Sequence, residues 1–336
     1  MKYDKILLEH GGGGLLSHEL IARVFVPRFQ NPYLERLEDS AVLTIGDNKF
    51  CFTTDSYVVS PTFFPGGNIG SLAVCGTVND LAVCGGKPLF LSCGVILEEG
   101  FPMKSLEIIL DTMAEKAAEA GVQIVTGDTK VVARGAADGI FINTSGIGLV
   151  EYLGPLSVKS IRPGDAVIVN GTLGDHGAAI IQARENLSLT SDILSDTAPL
   201  HGLIADILAT SSNIHCMRDA TRGGLGAILA EIAKSANVRI NIDEESIPVQ
   251  ESVRGVCEIL GFDPLFLANE GKLMVFCPEQ DAQAVLRAMQ NHQYGQKAAV
   301  IGRVSSSASG RVVLNTAIGG ERVVDMPTGE LVPRIC

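Results

Sequence analysis

The spacing of hydrophobic residues between Met103 and Ala120 predicts the most regular helix of the chain. Apolar side chains recur there at intervals of three and four residues, which places them on one face of a helix. Gly121 follows directly and ends the pattern. A second helix is predicted from Asn68, a residue type that caps helix starts, to Cys84. It contains several small residues, so we expect another element to approach it closely: Ala73, Cys75, Gly76 and Ala82.

Runs of β-branched residues around these helices predict strands. In the first half of the chain they are residues 50–53, 123–126, 140–144 and 147–150. The same alternation returns in the second half, with helices near residues 177–186, 224–235, 250–260 and 282–290 and strands at residues 166–169, 238–242, 273–276, 300–304 and 311–314. This pattern predicts an α/β (α+β) fold in which helices cover a mixed sheet.

Turn residues near position 155 indicate a boundary between two domains. Gly154-Pro155 and the run Arg162-Pro163-Gly164-Asp165 interrupt the apolar pattern there. The length of 336 residues fits two domains, since one domain typically has about 100 to 200 residues. We therefore predict a first domain at residues 1–154, a second at residues 155–326 and a mobile tail at residues 327–336.

The composition excludes several classes of protein. The formal net charge is −12 and no run of Lys and Arg is dense enough to follow a phosphate backbone, so we expect no nucleic-acid partner. No apolar segment has the length of a membrane span, and the amino terminus lacks the apolar run of a signal peptide. We therefore expect a cytoplasmic protein without a membrane partner. The eight cysteines form no Cys-x-x-Cys pair and the six histidines have no ligand spacing, so we expect reduced thiols and no zinc.

Four acidic residues of the first half stand where an apolar run meets a turn: Asp39, Asp55, Asp80 and Asp128. Carboxylates at such positions can converge on a hard cation such as Mg²⁺, which prefers oxygen ligands and commonly also binds substrate phosphates. The pattern indicates chemistry with a magnesium–nucleotide complex. For any one of these residues a helix cap or a turn is the alternative interpretation.

The glycine run at residues 11–14 is a second candidate for phosphate binding. Glycine permits close approach and positive φ angles, so the backbone N–H groups of Gly11, Gly12, Gly13 and Gly14 could surround a phosphate. The run matches neither a P-loop nor a dinucleotide-binding fingerprint, and a flexible loop is an equally good interpretation.

Three later segments combine charge with glycine, namely residues 171–177, 218–224 and 269–272. A helix is predicted directly after Arg222, so its first amides and the guanidinium could receive an anion. Glu270 lies between two apolar runs, where burial would raise its pKa and suit it to proton transfer. A buried ion pair between Glu270 and Lys272 is the alternative.

The last residue of the chain is Cys336, in the tail Val332-Pro333-Arg334-Ile335-Cys336. A terminal cysteine after a proline is poorly placed for a core, because chain ends are usually frayed unless they are docked. A ten-residue tail could reach about 33 to 36 Å and so carry a group between two sites. Cys336 is thus a candidate chemical handle, and an ordinary exposed chain end is the alternative.

Seven segments together resemble one known family, the HypE hydrogenase maturation factors. They are residues 54–57, 63–70, 127–130, 171–177, 219–224, 269–272 and 333–336. The resemblance extends from the glycine run to the last residue, and its most specific element is the cysteine-ended tail. HypE proteins are carbamoyl dehydratases of nickel–iron hydrogenase assembly and belong to the PurM-like superfamily of aminoimidazole-ribonucleotide (AIR) synthetase.

The resemblance implies a homodimer of two-domain subunits whose N-terminal sheets join at the dimer axis, with MgATP bound between the domains. The ATP contacts it implies are Gly11, Gly12, Gly13, Gly14, Asp39, Thr54, Asp55, Asp80, Asp128, Asn143 and Asp219, and the implied Mg²⁺ ligands are Asp55, Asp80, Asp128 and Asp219. Cys336 would accept a carbamoyl group from HypF, and Lys130 and Glu270 would serve its ATP-dependent dehydration to a thiocyanate. The cyano group would then pass to iron on a HypC–HypD scaffold.

Two other functions are compatible with the sequence. A selenophosphate synthetase of the same superfamily has a reactive Cys or selenocysteine and a Lys near its N-terminal glycine loop; here Lys5 is nearby, but no cysteine precedes Cys51. A non-catalytic carrier would use Cys336 to transfer a group or a metal without turning over ATP.

Overall fold

The computed structural model describes residues 3–185, 193–327, 329, 332 and 334–336. The strands of the first domain are β1 (Ala41–Ile45), β2 (Asn48–Tyr57), β3 (Phe63–Phe64), β4 (Gly67–Asn68), β5 (Gly86–Glu98), β6 (Gln123–Val132) and β7 (Ile140–Val150). Its helices are α1 (Leu15–Leu20), α2 (Ile69–Val83) and α3 (Met103–Ala120). Five of the strands form a mixed sheet in the order β1-β2-β7-β5-β6, and β3 and β4 form a short hairpin.

Both helices predicted in this domain are confirmed to within a residue. The side chain of Asn68 accepts hydrogen bonds from two amides of the first turn of α2, at 2.8 and 3.4 Å. Helix α3 ends at Gly121, whose left-handed φ of 66° favours glycine. The small residues of α2 do permit close contacts, since a Cβ at Gly76 would lie 2.3 Å from the hydroxyl oxygen of Tyr57.

Some strands of this domain differ from the sequence pattern. The predicted strands at residues 140–144 and 147–150 are parts of the single strand β7, which pairs with β2 along its length. Strand β5 was not indicated, because Pro88 and Gly94 break its apolar run. The pairing of β5 with β7 supplies a stabilisation that the local sequence does not reveal.

The second domain has a seven-stranded sheet in the order β14-β13-β10-β12-β8-β11-β9. Its strands are β8 (Asp165–Val169), β9 (Cys216–Asp219), β10 (Arg239–Asp243), β11 (Leu273–Pro278), β12 (Ala299–Ser305), β13 (Arg311–Asn315) and β14 (Glu321–Val324). Its helices are α4 (Asp175–Glu185), α5 (His201–Thr210), α6 (Gly224–Ala236), α7 (Glu251–Leu260) and α8 (Glu279–Asn291).

All five strands and four helices predicted for this half are present, although residue 186 of the first predicted helix lies outside the described residues. The pattern did not indicate β9, β14 or α5. Strand β8 is buried on both faces: Ala166 and Ile168 join the core with α5 and α8, while Val167 and Val169 join the core with α6. Because both faces of β8 are buried, its sequence is a continuous run of apolar residues rather than an alternating one.

Helix α2 joins the two domains. It packs against β2, β7 and α3 of its own domain and against α5 and β9 of the second. Asn79 accepts a hydrogen bond from the Leu200 amide at 2.7 Å and donates one to the Ala198 carbonyl at 3.1 Å. A helix enclosed on all sides has apolar residues all round, as the sequence of α2 does.

All eight cysteines are free thiols, as expected from their spacing. Within the described ranges, no helix combines the length and the apolar character that a membrane crossing requires.

Candidate active site

Carboxylates from four separate segments of the chain converge at the junction of the two domains. Asp39, Asp80 and Asp219 each place one carboxylate oxygen within 4.8 Å of the other two. Asp55 of β2 lies next to Asp80 of α2, and each carboxyl affects the pKa of the other. Thr53, which the sequence did not single out, donates a hydrogen bond to Asp80 at 2.9 Å. The structure therefore assembles Asp39, Asp55, Asp80 and Asp219, which lie far apart in the sequence.

The protonation of this cluster reflects its burial and its crowding. Burial, reinforced by Asp55 and Asp219, raises the pKa of Asp80 well above its ordinary value. Burial and the neighbouring Asp39 raise the pKa of Asp219 to about 8. Burial also raises the pKa of Asp39 to about 6, although the Arg218 guanidinium, with Nε 2.7 Å from Asp39 Oδ2, opposes the shift.

This donor set fits a magnesium ion. All its ligand atoms are carboxylate oxygens, which Mg²⁺ prefers, and crowded carboxylates can ionise together only beside a cation. Oδ2 of Asp39 is buried and has no aligned hydrogen-bond donor despite its short distance to Arg218, so it retains acceptor capacity. A cavity of about 570 Å³ is lined by residues of both domains, including Tyr152 and Arg218, the latter being the ion-pair partner of Asp39.

Asp128 does not join this cluster within one chain, contrary to the expected magnesium ligand set. It lies on β6, three strands away from β2, and three steps of about 4.8 Å separate the two backbones by roughly 14 Å. Its neighbour Gly127 is aligned with Asp55 through β7 and β5, so Asp128 points to the opposite face. Lys130 Nζ lies 2.6 Å from Asp128, and both side chains are about two-thirds exposed.

Thr54 and Asn143 also lie on the opposite face of the sheet from the carboxylates. Side chains alternate along β2, so Asp55 is directed inwards while Thr54 is exposed. Asn143 donates hydrogen bonds to Thr54 Oγ1 at 3.2 Å and to the Asp55 carbonyl at 2.8 Å. Within one chain, Thr54 and Asn143 can therefore stabilise the strand that carries Asp55, but they do not contact the carboxylate cluster.

The glycine run lies against the segment that precedes α6. Arg222 donates a hydrogen bond to the Gly11 carbonyl at 3.0 Å. Gly13 has a φ of 73°, and a Cβ there would lie 3.0 Å from the Arg222 carbonyl oxygen, so glycine is needed for this approach. The structure thus brings residues 11–14 to Arg222, as a phosphate-binding role requires.

The end of the chain is docked in the junction between the domains. Cys336 is 8% exposed, which contradicts the expectation that a terminal cysteine is poorly placed for a core. A main-chain oxygen of Cys336 accepts a hydrogen bond from the Val58 amide at 3.1 Å, and the carbonyl of Arg334 accepts one from the Ser60 amide at 3.1 Å. These bonds pair the tail with the segment after β2, so the chain end is fixed by tertiary contacts.

The charged neighbours of the Cys336 thiol are Glu270, Arg222 and Asp55. Burial raises the pKa of Cys336 to about 12, with Arg222 acting in the opposite direction. Burial, then Asp196 and Asp219, raise the pKa of Glu270 well above its ordinary value. Glu270 Oε1 is buried without a hydrogen-bond partner and is thus open to a substrate group.

Glu270 does not form the ion pair with Lys272 that the sequence left open. Lys272 Nζ lies 2.8 Å from Asp196 and 3.7 Å from Asp175. The carboxylate of Asp196 also accepts hydrogen bonds from the amides of Glu270 and Gly271 at 3.0 and 3.2 Å. Asp196 lies in the segment Ser195-Asp196-Thr197, where its polar neighbours are the only signal in the sequence, and the sequence pattern did not indicate its role.

Comparisons with known proteins place this geometry in a class. Residues 37–150 match the N-terminal domain of AIR synthase related proteins, and residues 162–315 match their C-terminal domain. The fold and the carboxylate-lined junction thus define an ATP-binding enzyme of the AIR synthase related class.

Relatives define the family within this class. The carbamoyl dehydratase HypE of Rhodobacter capsulatus is 52% identical over 100% of this chain and 99% of its own length. A solved HypE–HypF complex contains a chain that is 49% identical, with a TM-score of 0.87, over 92% of this chain and 99% of that one. A HypE structure in complex with ATP is 46% identical, with a TM-score of 0.83, over 99% of this chain and 100% of that one.

The chain belongs to the HypE family and is an ATP-dependent carbamoyl dehydratase of hydrogenase maturation. The two-domain PurM-like fold and the function implied by the resemblance are thereby confirmed. The alternatives of a selenophosphate synthetase and of a non-catalytic carrier are set aside.

Proposed function

We propose that Cys336 carries the carbamoyl group and that Glu270 is the base that removes its protons. The observation that carries this proposal is that the buried thiol of Cys336 lies beside the buried carboxyl of Glu270, with Arg222 and Asp55 as its other charged neighbours. A group attached to this sulfur would lie between a base and a site for the ATP phosphates.

The reaction has two stages on the sulfur. The carbamoyl oxygen is a poor leaving group, so it first attacks the γ-phosphorus of ATP, forming an O–P bond while the bond to ADP breaks. The C–O bond then breaks, the oxygen leaves with phosphate, and the nitrogen loses both protons to form C≡N. The net change is loss of one water from the carbamoyl group, with ATP converted to ADP and phosphate.

Burial suits Glu270 to this proton transfer. A carboxylate in an apolar environment holds a proton more tightly than one in water. A positioned base typically accelerates a reaction by roughly 10² to 10⁴-fold. Arg222 lies close enough to lower the cost of ionising Glu270 and also faces Asp55. The same guanidinium can therefore compensate charge on Glu270 and on the transferred phosphoryl group.

Asp39, Asp55, Asp80 and Asp219 would hold Mg²⁺, because these carboxylates are the ones that converge. A bound Mg²⁺ supplies positive charge to the ATP phosphates. Gly11, Gly12, Gly13 and Gly14, fixed against Arg222, would cover those phosphates. The 570 Å³ cavity that Arg218 lines has the volume for the nucleoside part of ATP.

A second copy of the chain would cover the outer face of the N-terminal sheet. This face carries exposed apolar side chains, among them Phe52 at 44%, Phe90 at 42% and Ile96 at 43%. Exposed apolar surface of this kind is typical of a subunit interface. Asp128 and Lys130 stand on the edge strand of the same sheet, so in a homodimer they would serve the site of the other subunit.

The tail must leave its docked position during the reaction cycle. In the docked state the thiol is buried and its pKa is raised, and a protonated thiol is a poor nucleophile, so a carbamoyl donor would load it only after release. HypF is the proposed donor, because a relative has been solved in complex with HypF. A HypC–HypD iron scaffold is the proposed acceptor, and the cytoplasm is the proposed compartment.

Mass spectrometry of the C-terminal peptide tests this proposal. We expect the carbamoylated peptide to lose one water only when both ATP and Mg²⁺ are present. A carbamoylated protein that keeps the water under these conditions, or a loss of water located on another residue, would overturn the assignment of Cys336.

A further inference from the structure

The docked tail is held from both domains at once. In the first domain the amide of Val58 donates to a main-chain oxygen of Cys336, and the amide of Ser60 donates to the carbonyl of Arg334. The carbonyl of Ile335, which lies between them in the chain, is bonded instead by the second domain. There it accepts a hydrogen bond from His176 Nε2 of α4 at 2.7 Å.

The ring of His176 is oriented by a chain of hydroxyl groups. A carbonyl only accepts, so Nε2 must carry the proton and Nδ1 must be the acceptor. Ser195 Oγ lies 2.8 Å from Nδ1 and therefore donates to it. Ser195 Oγ in turn lies 2.6 Å from Thr197 Oγ1 and accepts from the Thr197 amide at 3.2 Å. The imidazole is fully buried, with an edge-to-face contact to Phe64.

The segment that orients His176 also fixes Glu270. Asp196, between Ser195 and Thr197, accepts hydrogen bonds from the amides of Glu270 and Gly271. Residues 195–197 therefore connect the support of the docked tail to the support of the base. A displacement of the tail relative to this segment would change the distance between the Cys336 sulfur and the Glu270 carboxyl.

We propose that His176 is a positioning residue that, through the Ile335 carbonyl, sets where the modified sulfur of Cys336 sits relative to Glu270. This inference rests on the proposed roles of Cys336 and Glu270. His176 acts by donating to the Ile335 carbonyl next to Cys336, which would otherwise be buried without a donor.

The primary test is the reactivity of Cys336 towards N-ethylmaleimide in the full-length protein, followed on the C-terminal peptide by mass spectrometry. His176→Leu has a similar volume but no donor, so the docked state loses a buried hydrogen bond. We expect alkylation to accelerate at least about ten-fold, which corresponds to about 1.4 kcal/mol. His176→Gln, whose amide can donate to the same carbonyl, should restore protection to within about two-fold, which corresponds to about 0.4 kcal/mol. His201→Gln, a histidine that lines a different cavity, is the matched control.

The second readout is the single-turnover dehydration of the carbamoylated protein at saturating MgATP. We expect His176→Leu to slow this step while ATP binds with unchanged affinity, and His176→Gln to recover most of the rate. Equal alkylation of His176→Leu and wild type would overturn the proposal, and so would a glutamine variant as reactive as the leucine variant.

If His176→Leu fails to fold, the variant Ser195→Ala tests the proposal in its place. It removes the hydrogen-bond partner of His176 Nδ1 without altering the buried imidazole ring. Faster alkylation of Cys336 in Ser195→Ala supports the proposal, and an unchanged rate overturns it. Failure of the proposed function is separate: wild-type protein would then not lose water from the Cys336 adduct, whatever the His176 variants do.

Discussion

Replacing Glu270 by glutamine tests the centre of the proposed reaction. The side chain is 3% exposed, and glutamine keeps its volume and the possibility of a hydrogen bond to Cys336 while removing the base. Loss of a positioned base typically slows a reaction by roughly 10² to 10⁴-fold, which corresponds to about 3 to 5 kcal/mol in the activation barrier. ATP binding should change little, because the carboxylates that would hold Mg²⁺ are untouched.

The pH dependence of the stability and of the reaction rate tests the role of Glu270 independently. Burial raises the pKa of Glu270 above 4.5, so the folded protein keeps a proton that the unfolded chain has released. The free energy of unfolding therefore receives a contribution that decreases as the pH rises from about 4.5 through the raised pKa. Glu270→Gln lacks this term, so its stability relative to wild type should increase with pH. In catalysis, the wild-type rate should rise with pH as Glu270 ionises, and that rise should vanish in the variant.

The assay is single-turnover formation of thiocyanate from carbamoylated protein, with Glu258→Gln, an exposed glutamate of α7, as the control. Nucleotide affinity measured on the same samples separates binding from chemistry. Turnover of Glu270→Gln at the wild-type rate, with an unchanged pH profile, would falsify the assignment of the base.

Three further results are expected. Cys336→Ala should bind MgATP with wild-type affinity and form no thiocyanate; a cyano product from this variant would place the acceptor elsewhere. Homodimers of Lys130→Met and of Glu270→Gln should both be slow. If Lys130 acts across the dimer, a heterodimer of the two variants has one intact site, with Glu270 from one subunit and Lys130 from the other, and should regain activity there. Mixtures no faster than the two homodimers would contradict the cross-subunit role. Asn79→Ala removes two buried hydrogen bonds at the domain junction and should lower the free energy of unfolding by about 2 to 5 kcal/mol in chemical denaturation, and a loss below about 1 kcal/mol would show that the junction does not depend on them.

Sequence patterns succeeded where the determinants are local. Helix α3 shows its apolar face and its terminal Gly121 in consecutive residues, and α2 shows its cap at Asn68 in the same way. Strand β9 has only four residues, two of them charged, and its pairing with β11 comes from distant sequence. No local pattern could indicate it, although it carries Asp219.

The candidate site shows the same division. The apolar runs beside Glu270 indicated its burial, and the structure agrees. The partner of Lys272 could not be read from its neighbours, since Asp196 is 76 residues away. His176 carried no ligand spacing, because its hydrogen-bond partners are the tail and a loop rather than a metal.

By itself the sequence determined the order of most helices and strands and the family, and it indicated Cys336 as the candidate for modification. The tertiary structure decided which carboxylates meet, since Asp55 and Asp128 lie within strands of the same sheet but on its opposite faces and three strands apart. It also decided that Cys336 is buried against Glu270 rather than exposed. Register and the alternation of side chains are set by pairing between distant segments, so the distances that make a site arise only when the sheets and the tail have packed.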